Sequence, residues 1–246
     1  MIQARAGSAV IALLTLSASL PLASQENLQS PSASANPHVV GTRRSVTFAF
    51  ERQGLQVPKF RLTIHDDGYA FYEGQEAPEP TRYGPPAAPS LKPFQSSVTV
   101  TSATASRVFA LTQKLNRFNS VCASKAKNIA DTGIKVLTYT GPDGSGSCTY
   151  NYTENKDVQT LTGIFQGIAE TMDAGRNLDH LHRYDRLGLD SAMSFLAQEA
   201  SEGHALELGT IASSLGSIAA DPELMERVRT KAKSLLALAP ADKQPR

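Results

Sequence analysis

The sequence predicts an α+β fold: an antiparallel sheet of about six strands with two helices packed on one face, followed by a small all-α helical domain. Six short segments alternate apolar and polar residues, which is the pattern of strands that are buried on one face. Two longer segments repeat apolar residues at spacings of three and four, as amphipathic helices do. Strand runs followed by helices favour an α+β arrangement over an alternating α/β one.

The predicted divisions follow changes in composition along the chain. Beyond residue 174 no strand pattern appears, so a separate helical part is expected there. In chain order, the divisions are a signal peptide (1–24), a disordered leader (25–42), the α+β domain (43–174), the helical domain (175–238) and a polar tail (239–246).

A β-hairpin is the clearest local signal. Ser45–Arg52 alternates large apolar residues with small or polar ones, and Phe60–Ile64 repeats the alternation. Residues 66–68 (Asp-Asp-Gly) follow, in which the glycine can take a positive φ and the carboxylates can cap the turn. Tyr69–Glu73 then returns as the second strand of the hairpin.

A proline-rich segment, Gln75–Pro93, separates this hairpin from the next elements. Its six prolines are incompatible with helix and strand interiors, so we expect a long, partly extended loop. Phe94–Thr101 is typical of a strand that leads straight into a helix, which either Thr101 or Ser102 can cap.

The rest of the sheet is predicted from a strand pair and a closing helix. Ile134–Thr140 and Ser147–Thr153 are typical of strands, and Gly141–Gly146 (GPDGSG) supplies the turn residues between them. A helix follows as far as about residue 172, and either Asn155 or Asp157 can serve as its N-cap.

Three or four short helices are expected between residues 175 and 238. The apolar face of the second is predicted to comprise Ala192, Phe195, Leu196 and Ala200. Asp221 and Pro222 are typical of an N-cap followed by proline in the first turn, so we expect the last helix to begin there.

The first 24 residues have the order of a secretory signal. A single charge at Arg5 precedes an apolar run, Ala9–Leu22, and small residues follow at Ala23 and Ser24. The run is shorter than the ~20 apolar residues of a bilayer-spanning helix, which favours cleavage over permanent anchoring. Cleavage after residues 33–35 (Ala-Ser-Ala) is an alternative. We therefore expect an exported protein, periplasmic or extracellular, with no integral membrane segment in the mature chain.

Charge and composition disfavour two classes of ligand. The chain has 24 Lys and Arg residues against 23 Asp and Glu residues, and loss of Arg5 with the signal peptide brings the formal charge from +1 to zero. A balanced chain provides no electrostatic basis for binding nucleic acid. Trp is absent and aromatic residues make up 7%, which weakens the case for an aromatic-lined sugar or base site.

Cys122 and Cys148 are the only cysteines. In an oxidising compartment such a pair is expected to form a disulfide. The bond would close a loop of about 27 residues and contribute roughly 3–4 kcal/mol to stability on the chain-entropy relation. Two separate buried thiols are the alternative.

Few clusters of chemically active side chains occur. His65, Asp66 and Asp67 group at the predicted hairpin tip, but two adjacent carboxylates offer fewer oxygens than Ca²⁺ requires, so turn capping is the plainer interpretation. The two histidines of Asp179–Asp190 are two residues apart and point to different faces of a helix, unlike a metal-binding pair. Nucleophile-elbow, dinucleotide and phosphate-loop motifs are missing. The sequence therefore assigns no catalytic residue, metal ligand or cofactor.

The last predicted helix has a basic outer face, Arg227–Lys233, that could meet an acidic partner. An ordinary solvated face is the alternative. Arg227 and Arg229 are therefore candidate binding residues, together with the three residues of the hairpin tip.

The segment FRLTIHDDGYAFYEG, followed by a VTVT strand leading into a helix, resembles a layout that recurs among exported bacterial proteins of uncharacterised function. The strand pair Ile134–Thr153 and its closing helix extend this resemblance to about residue 173. RYDRLGLD and the Asp-Pro start of the last helix resemble the helical tails of such proteins and HEAT-type helix pairs. The resemblance implies no catalytic residue.

Two function hypotheses from different classes follow. The first is a non-enzymatic binding or interaction module that recognises a partner protein or a component of the cell envelope. The second is a small secreted hydrolase or protease inhibitor that uses the hairpin tip and the loop Gln75–Pro93.

Overall fold

The computed structural model of the chain describes residues 43–78 and 90–239. The predicted signal peptide and leader lie outside this part of the chain, as do the centre of the proline-rich segment and the end of the polar tail. Those predictions therefore remain predictions.

A six-stranded antiparallel sheet forms the first half of the fold, in the order β4-β3-β2-β1-β5-β6. This confirms the predicted α+β class. The strands are β1 (Ser45–Glu51), β2 (Lys59–His65), β3 (Tyr69–Glu76), β4 (Lys92–Thr99), β5 (Ile134–Gly141) and β6 (Gly144–Tyr150).

Five α-helices occur in the described residues. Two short 3-10 helices also occur there: Asn116–Phe118, which precedes β5, and Leu208–Ile211, which precedes the fourth α-helix. The helices are α1 (Ser102–Lys114), α2 (Lys156–Tyr184), α3 (Leu189–Glu202), α4 (Ala212–Ala220) and α5 (Glu226–Leu238).

One face of the sheet is buried against α1 and α2, as the alternation of the strands predicts. Val46 and Phe48 of β1 are fully buried, while their neighbours on the opposite face are partly exposed. The ring of Phe48 stacks on that of Phe165 from α2, with 5.5 Å between ring centroids. The main core therefore lies between the sheet and these two helices.

The strand ends beside the proline-rich segment differ from the prediction. β3 continues to Glu76, and β4 begins at Lys92 and includes Pro93. β4 is an edge strand, and an edge strand tolerates proline because its outward N–H groups need no partner in the sheet.

Helix α2 is longer than predicted: it runs without a break from an Asn155 N-cap to Tyr184. The sequence suggested that one helix ends near residue 172 and another follows. Gly175 does not end the helix; a Cβ there would lie 2.3 Å from the Ile211 side chain, so the glycine allows close packing. The predicted domain boundary at residue 174 falls inside α2 and stays a prediction.

A second hydrophobic core occupies the helical part, built from the end of α2, from α3 to α5 and from Leu208–Ile211. The last helix begins later than predicted, with Met225 as its N-cap. Asp221 instead accepts a hydrogen bond from the Glu223 N–H at 2.9 Å and pairs with His182. These contacts hold residues 221–224 in a turn before α5.

Glu207 fastens the helical part to the start of α1. Its carboxylate accepts hydrogen bonds from the Thr101 N–H (2.9 Å) and the Thr101 hydroxyl (2.7 Å), and also from the Thr104 hydroxyl. Thr101, one of the two predicted candidates, is the N-cap of α1 and accepts from the Thr104 N–H. The carboxylate therefore supplements the cap of α1 and fixes the connection between α3 and α4 against the sheet domain.

Cys122 and Cys148 form a disulfide with their Cα atoms 5.8 Å apart, which confirms the predicted pairing. The bond joins the irregular segment after α1 to edge strand β6. Such a bond is compatible with an extracellular location. Within residues 43–78 and 90–239, no helix combines the length and the apolar character needed to cross a membrane.

Candidate binding cleft

The hairpin tip predicted as a candidate site is occupied by ion pairs and turn contacts. Asp66 pairs with Arg44 at 2.9 Å, and Asp67 pairs with Arg43. Asp67 also accepts from the Tyr69 N–H at 3.1 Å, and Gly68 has a φ of +86°, as the turn requires. Neither carboxylate lines the two cavities, of about 630 and 1000 Å³, that lie elsewhere on the sheet and helices.

His65 is the one hairpin-tip residue with an unusual environment. Its Nδ1 atom is buried without a hydrogen-bond partner among the described residues. Burial lowers the pKa of the imidazole below its ordinary value; Arg43 lowers it further, and Asp66 and a backbone contact with Arg44 oppose the shift. The folded state therefore favours neutral His65.

This shift predicts a pH dependence of stability. Because the unfolded chain binds the proton more tightly, the free energy of unfolding should fall as the pH is lowered through about 6.5 and below. His65→Gln should remove this component. Urea unfolding of both proteins between pH 5 and 7.5 measures it, and parallel stability curves for the two proteins would contradict the assignment.

The basic face predicted on α5 is partly neutralised by neighbouring carboxylates. Arg227 lies 3.3 Å from Asp190 of α3, and Lys231 lies 2.8 Å from the same residue. Arg229 pairs with Glu226 within α5 at 2.7 Å. Arg227 and Arg229 thus serve contacts inside the fold, which weakens their case as a docking surface.

A cavity with a volume of about 1000 Å³ forms an open cleft between one end of the sheet and the helices. It is bounded by the β1–β2 connection, the end of β3 and the facing sides of α2 and α3. From Gln166 to Ala174 of α2 the lining positions recur at spacings of three and one, which places them on one stripe of the helix. We call this cavity the cleft.

A buried polar network closes the sheet side of the cleft. Asp173 accepts a hydrogen bond from the Tyr72 hydroxyl at 2.9 Å and pairs with Arg176 at 2.8 Å. Arg176 also reaches Glu76 of β3 at 3.1 Å and lies 3.6 Å above the Phe94 ring. Burial raises the pKa of Asp173, and the Arg176 charge opposes that shift. These contacts tie α2 to the sheet, while the buried Nε atom of Arg176 has no hydrogen-bond partner among the described residues.

A second acidic group lies between α2 and α3. Glu170 has no ion-pair or hydrogen-bond partner among the described residues. Glu170 is exposed as a residue. Desolvation by neighbouring groups raises the pKa of its carboxyl, and so does Glu199 of α3, while His204 lowers it. Glu199 itself lies 3.2 Å from His204 Nδ1. The carboxyl of Glu170 is therefore available to a ligand.

Glu199, Glu202 and His204 also bring three metal-ligand atoms within 4.8 Å of one another. The side chains of Glu202 and His204 are 44% and 60% exposed, and exposed acidic groups commonly lie this close without an ion. No metal is assigned to them.

Two large apolar side chains are exposed at the cleft. Phe195 of α3 is 62% exposed and Leu55 of the β1–β2 connection is 39% exposed. Phe50, Val57 and Phe60 line the deeper wall and are buried. Half of the described lining residues are polar or charged, so the cleft pairs an apolar wall with groups that can orient a ligand.

Sequence reasoning missed this cleft. Phe195 was expected on the buried face of its helix, and its neighbour Leu196 is indeed buried at 2% exposure. Leu55 lies in a segment without regularly spaced apolar residues, so no pattern indicated where its side chain lies. No local signal separates Phe195 from Leu196, because adjacent residues of a helix can both face a core, as Ile164 and Phe165 of α2 do.

The cleft offers binding groups more than reactive ones. Among the described lining residues there is no serine, cysteine or lysine; the single hydroxyl is that of Thr132 and the single histidine is His180. The carboxylate that is best buried, Asp173, is held by Tyr72 and Arg176. The cleft thus combines an apolar wall with polar and charged side chains, among which Glu170 and Glu199 are the carboxylates not held by an arginine.

A smaller cavity, of about 630 Å³, lies over the open face of the sheet at the same end. Its charged residues pair across neighbouring strands, Arg61 with Glu73 at 3.3 Å and Lys59 with Glu51 at 3.4 Å. Each charged residue among the described residues that line this smaller cavity therefore has a partner of opposite charge. The cleft is the stronger candidate for a ligand-binding site.

Comparisons of the chain with known protein families, with curated proteins and with solved structures found no match.

Proposed function

We propose that the protein is an exported, non-enzymatic binding module whose ligand occupies the cleft. The observation that carries this proposal is the exposure of Phe195 and Leu55 inside a cavity of about 1000 Å³. Exposed apolar side chains in a concave, partly polar site mark ligand-binding surfaces. The N-terminal signal pattern supports export, as does the disulfide between Cys122 and Cys148.

The shape and lining of the cleft favour a ligand with an apolar body. Sites of this kind typically measure roughly 300–1,000 Å³ and bury most of a drug-sized molecule. Phe50, Val57 and Phe60 provide a preformed apolar wall, so binding does not require the core to open. A hydrophobic component of the cell envelope fits this chemistry.

The neutral fluorophore N-phenyl-1-naphthylamine tests the proposal, because its emission rises on transfer from water to an apolar site. We expect saturable one-to-one binding to the protein. Phe195→Ala should weaken it about tenfold, since each side chain of this size contributes of the order of 1–2 kcal/mol when a ligand covers it.

The matched control is Leu187→Ala, which shortens a leucine that is 86% exposed and lies outside the cleft lining. This variant should bind the fluorophore as the parent does. Absence of saturable binding, or equal weakening by Leu187→Ala and Phe195→Ala, would refute the cleft as the binding site.

A further inference from the structure

We propose that the ligand of the cleft carries a cationic group, an amine or quaternary ammonium on an apolar body, and that Glu170 and Glu199 receive it. This inference rests on the proposed function and specifies the class of ligand. It is based on which charged side chains of the cleft form ion pairs with one another and which form none.

The two arginines that line the cleft, Arg52 and Arg176, do not pair with the carboxylates of Glu170 and Glu199 in the described structure. Arg176 is held by Glu76 and Asp173, at 3.1 and 2.8 Å, and covers the Phe94 ring. Arg52 lies at the opposite end, beside the β1–β2 connection, where its charge helps to lower the pKa of Lys135. Neither guanidinium forms an ion pair with Glu170 in the described structure.

The remaining carboxylates converge between α2 and α3. Within residues 43–78 and 90–239, Glu170 forms no ion pair or hydrogen bond, and the Glu199 carboxylate pairs with His204, whose side chain is 60% exposed. The repulsion between the two carboxylates contributes to the raised pKa of Glu170. A ligand cation placed between them would relieve this repulsion and replace the missing partner.

An aromatic ring lies beside these carboxylates. Phe195 and Glu199 are four residues apart on α3, so both side chains face the same side of the helix, and both line the cleft. An aromatic face attracts an ammonium group, and most strongly where water is partly excluded. The apolar body of the ligand would then extend along Phe50 and Phe60 towards the β1–β2 connection.

Protonation of Glu170 gives the inference a pH signature. The charged groups that face it are Glu199 and His204 from α3 and the segment after it, and Asp173 from α2. As the pH falls through the raised pKa of Glu170, its carboxylate is neutralised. The affinity for a cationic ligand should therefore decrease on acidification, while that for a neutral ligand should not.

The test compares three probes of equal chain length that displace N-phenyl-1-naphthylamine: decyltrimethylammonium, decanol and decanoate, each below its micellar concentration at pH 7.5. We expect decyltrimethylammonium to bind about tenfold more tightly than decanol, the combined effect of an ion pair with exposed carboxylates and a cation–π contact with an exposed ring, and decanoate to bind more weakly than decanol. In the double variant Glu170→Gln, Glu199→Gln the preference for the cation should be lost, with the affinity for decanol unchanged.

Glu226→Gln is the matched control, because Glu226 is 80% exposed on α5 and lies outside the cleft lining. It should retain the preference for the cation, and circular dichroism should show equal thermal midpoints for all variants. Equal affinities for the three probes, a preference for decanoate, or a preference for the cation that survives the double variant would overturn the inference while leaving the cleft a binding site. Failure of all probes, including the fluorophore, would instead refute the proposed function.

Discussion

Replacement of Cys122 and Cys148 by alanine should lower the free energy of unfolding by about 3.5 kcal/mol, the value that chain entropy assigns to a loop of this length. The two cysteines are 26 positions apart and are 4% and 7% exposed, so alanine avoids burying a hydroxyl group. The irregular segment 119–133 should respond most, because the disulfide fastens it to β6. Urea denaturation of the oxidised parent and the double variant measures the loss.

The parent treated with a reducing agent is the control for the disulfide. Its unfolding midpoint should shift towards that of the double alanine variant, and limited proteolysis should cleave both within residues 119–133 before the sheet is attacked. A double variant as stable as the oxidised parent would show that the bond contributes nothing to stability.

Phe165→Ala should be comparably severe, with a loss of about 3–5 kcal/mol. Phe165 is fully buried where α2 meets the sheet, and its ring stacks on that of Phe48. Truncation removes apolar area from the core and leaves a cavity that the sheet, held by hydrogen bonds on both sides of β1, cannot close. The same urea titration measures this loss, and the dependence of the unfolding free energy on urea concentration (the m-value) should be equal in the variant and the parent.

Phe195→Ala is the matched control for Phe165→Ala, because it makes the same chemical change on a helix at a position that is 62% exposed. Its stability should remain within about 0.5 kcal/mol of the parent, as is usual for surface substitutions. The pair thus separates the two roles of phenylalanine in this chain: loss of Phe165 reduces stability, and loss of Phe195 reduces ligand binding. A large loss of stability in Phe195→Ala would place that ring in the core and remove the basis of the proposed site.

The elements that were predicted well depend on neighbouring residues in the sequence. The hairpin of β2 and β3 follows from local alternation and from Gly68 in its turn. The N-caps Thr101 and Asn155 follow from short polar side chains placed just before apolar repeats. These signals lie within a few residues of the structure that they specify, so one sequence suffices to detect them.

The ends of the helices were harder to predict from the sequence, because contacts with distant residues determine them. Gly175 reduces helix propensity, yet α2 passes through it, since the contact with Ile211 requires a residue without a side chain. Asp221 has the chemistry of an N-cap, yet it forms a turn and pairs with His182, a residue 39 positions earlier. In both cases a contact made far along the chain outweighs the local preference.

The sequence by itself determined the class of fold, the six strands, the pairing of Cys122 with Cys148 and the balance of charge, because periodicity, turn chemistry and composition are local or additive properties. Only the tertiary structure decided where a ligand can bind. Tyr72 and Asp173, which meet at the cleft, are 101 positions apart, and the exposure of Phe195 depends on which face of α3 the second core covers. A site assembled from distant segments leaves no spacing pattern in the chain, so its chemistry becomes visible only once the helices are packed on the sheet.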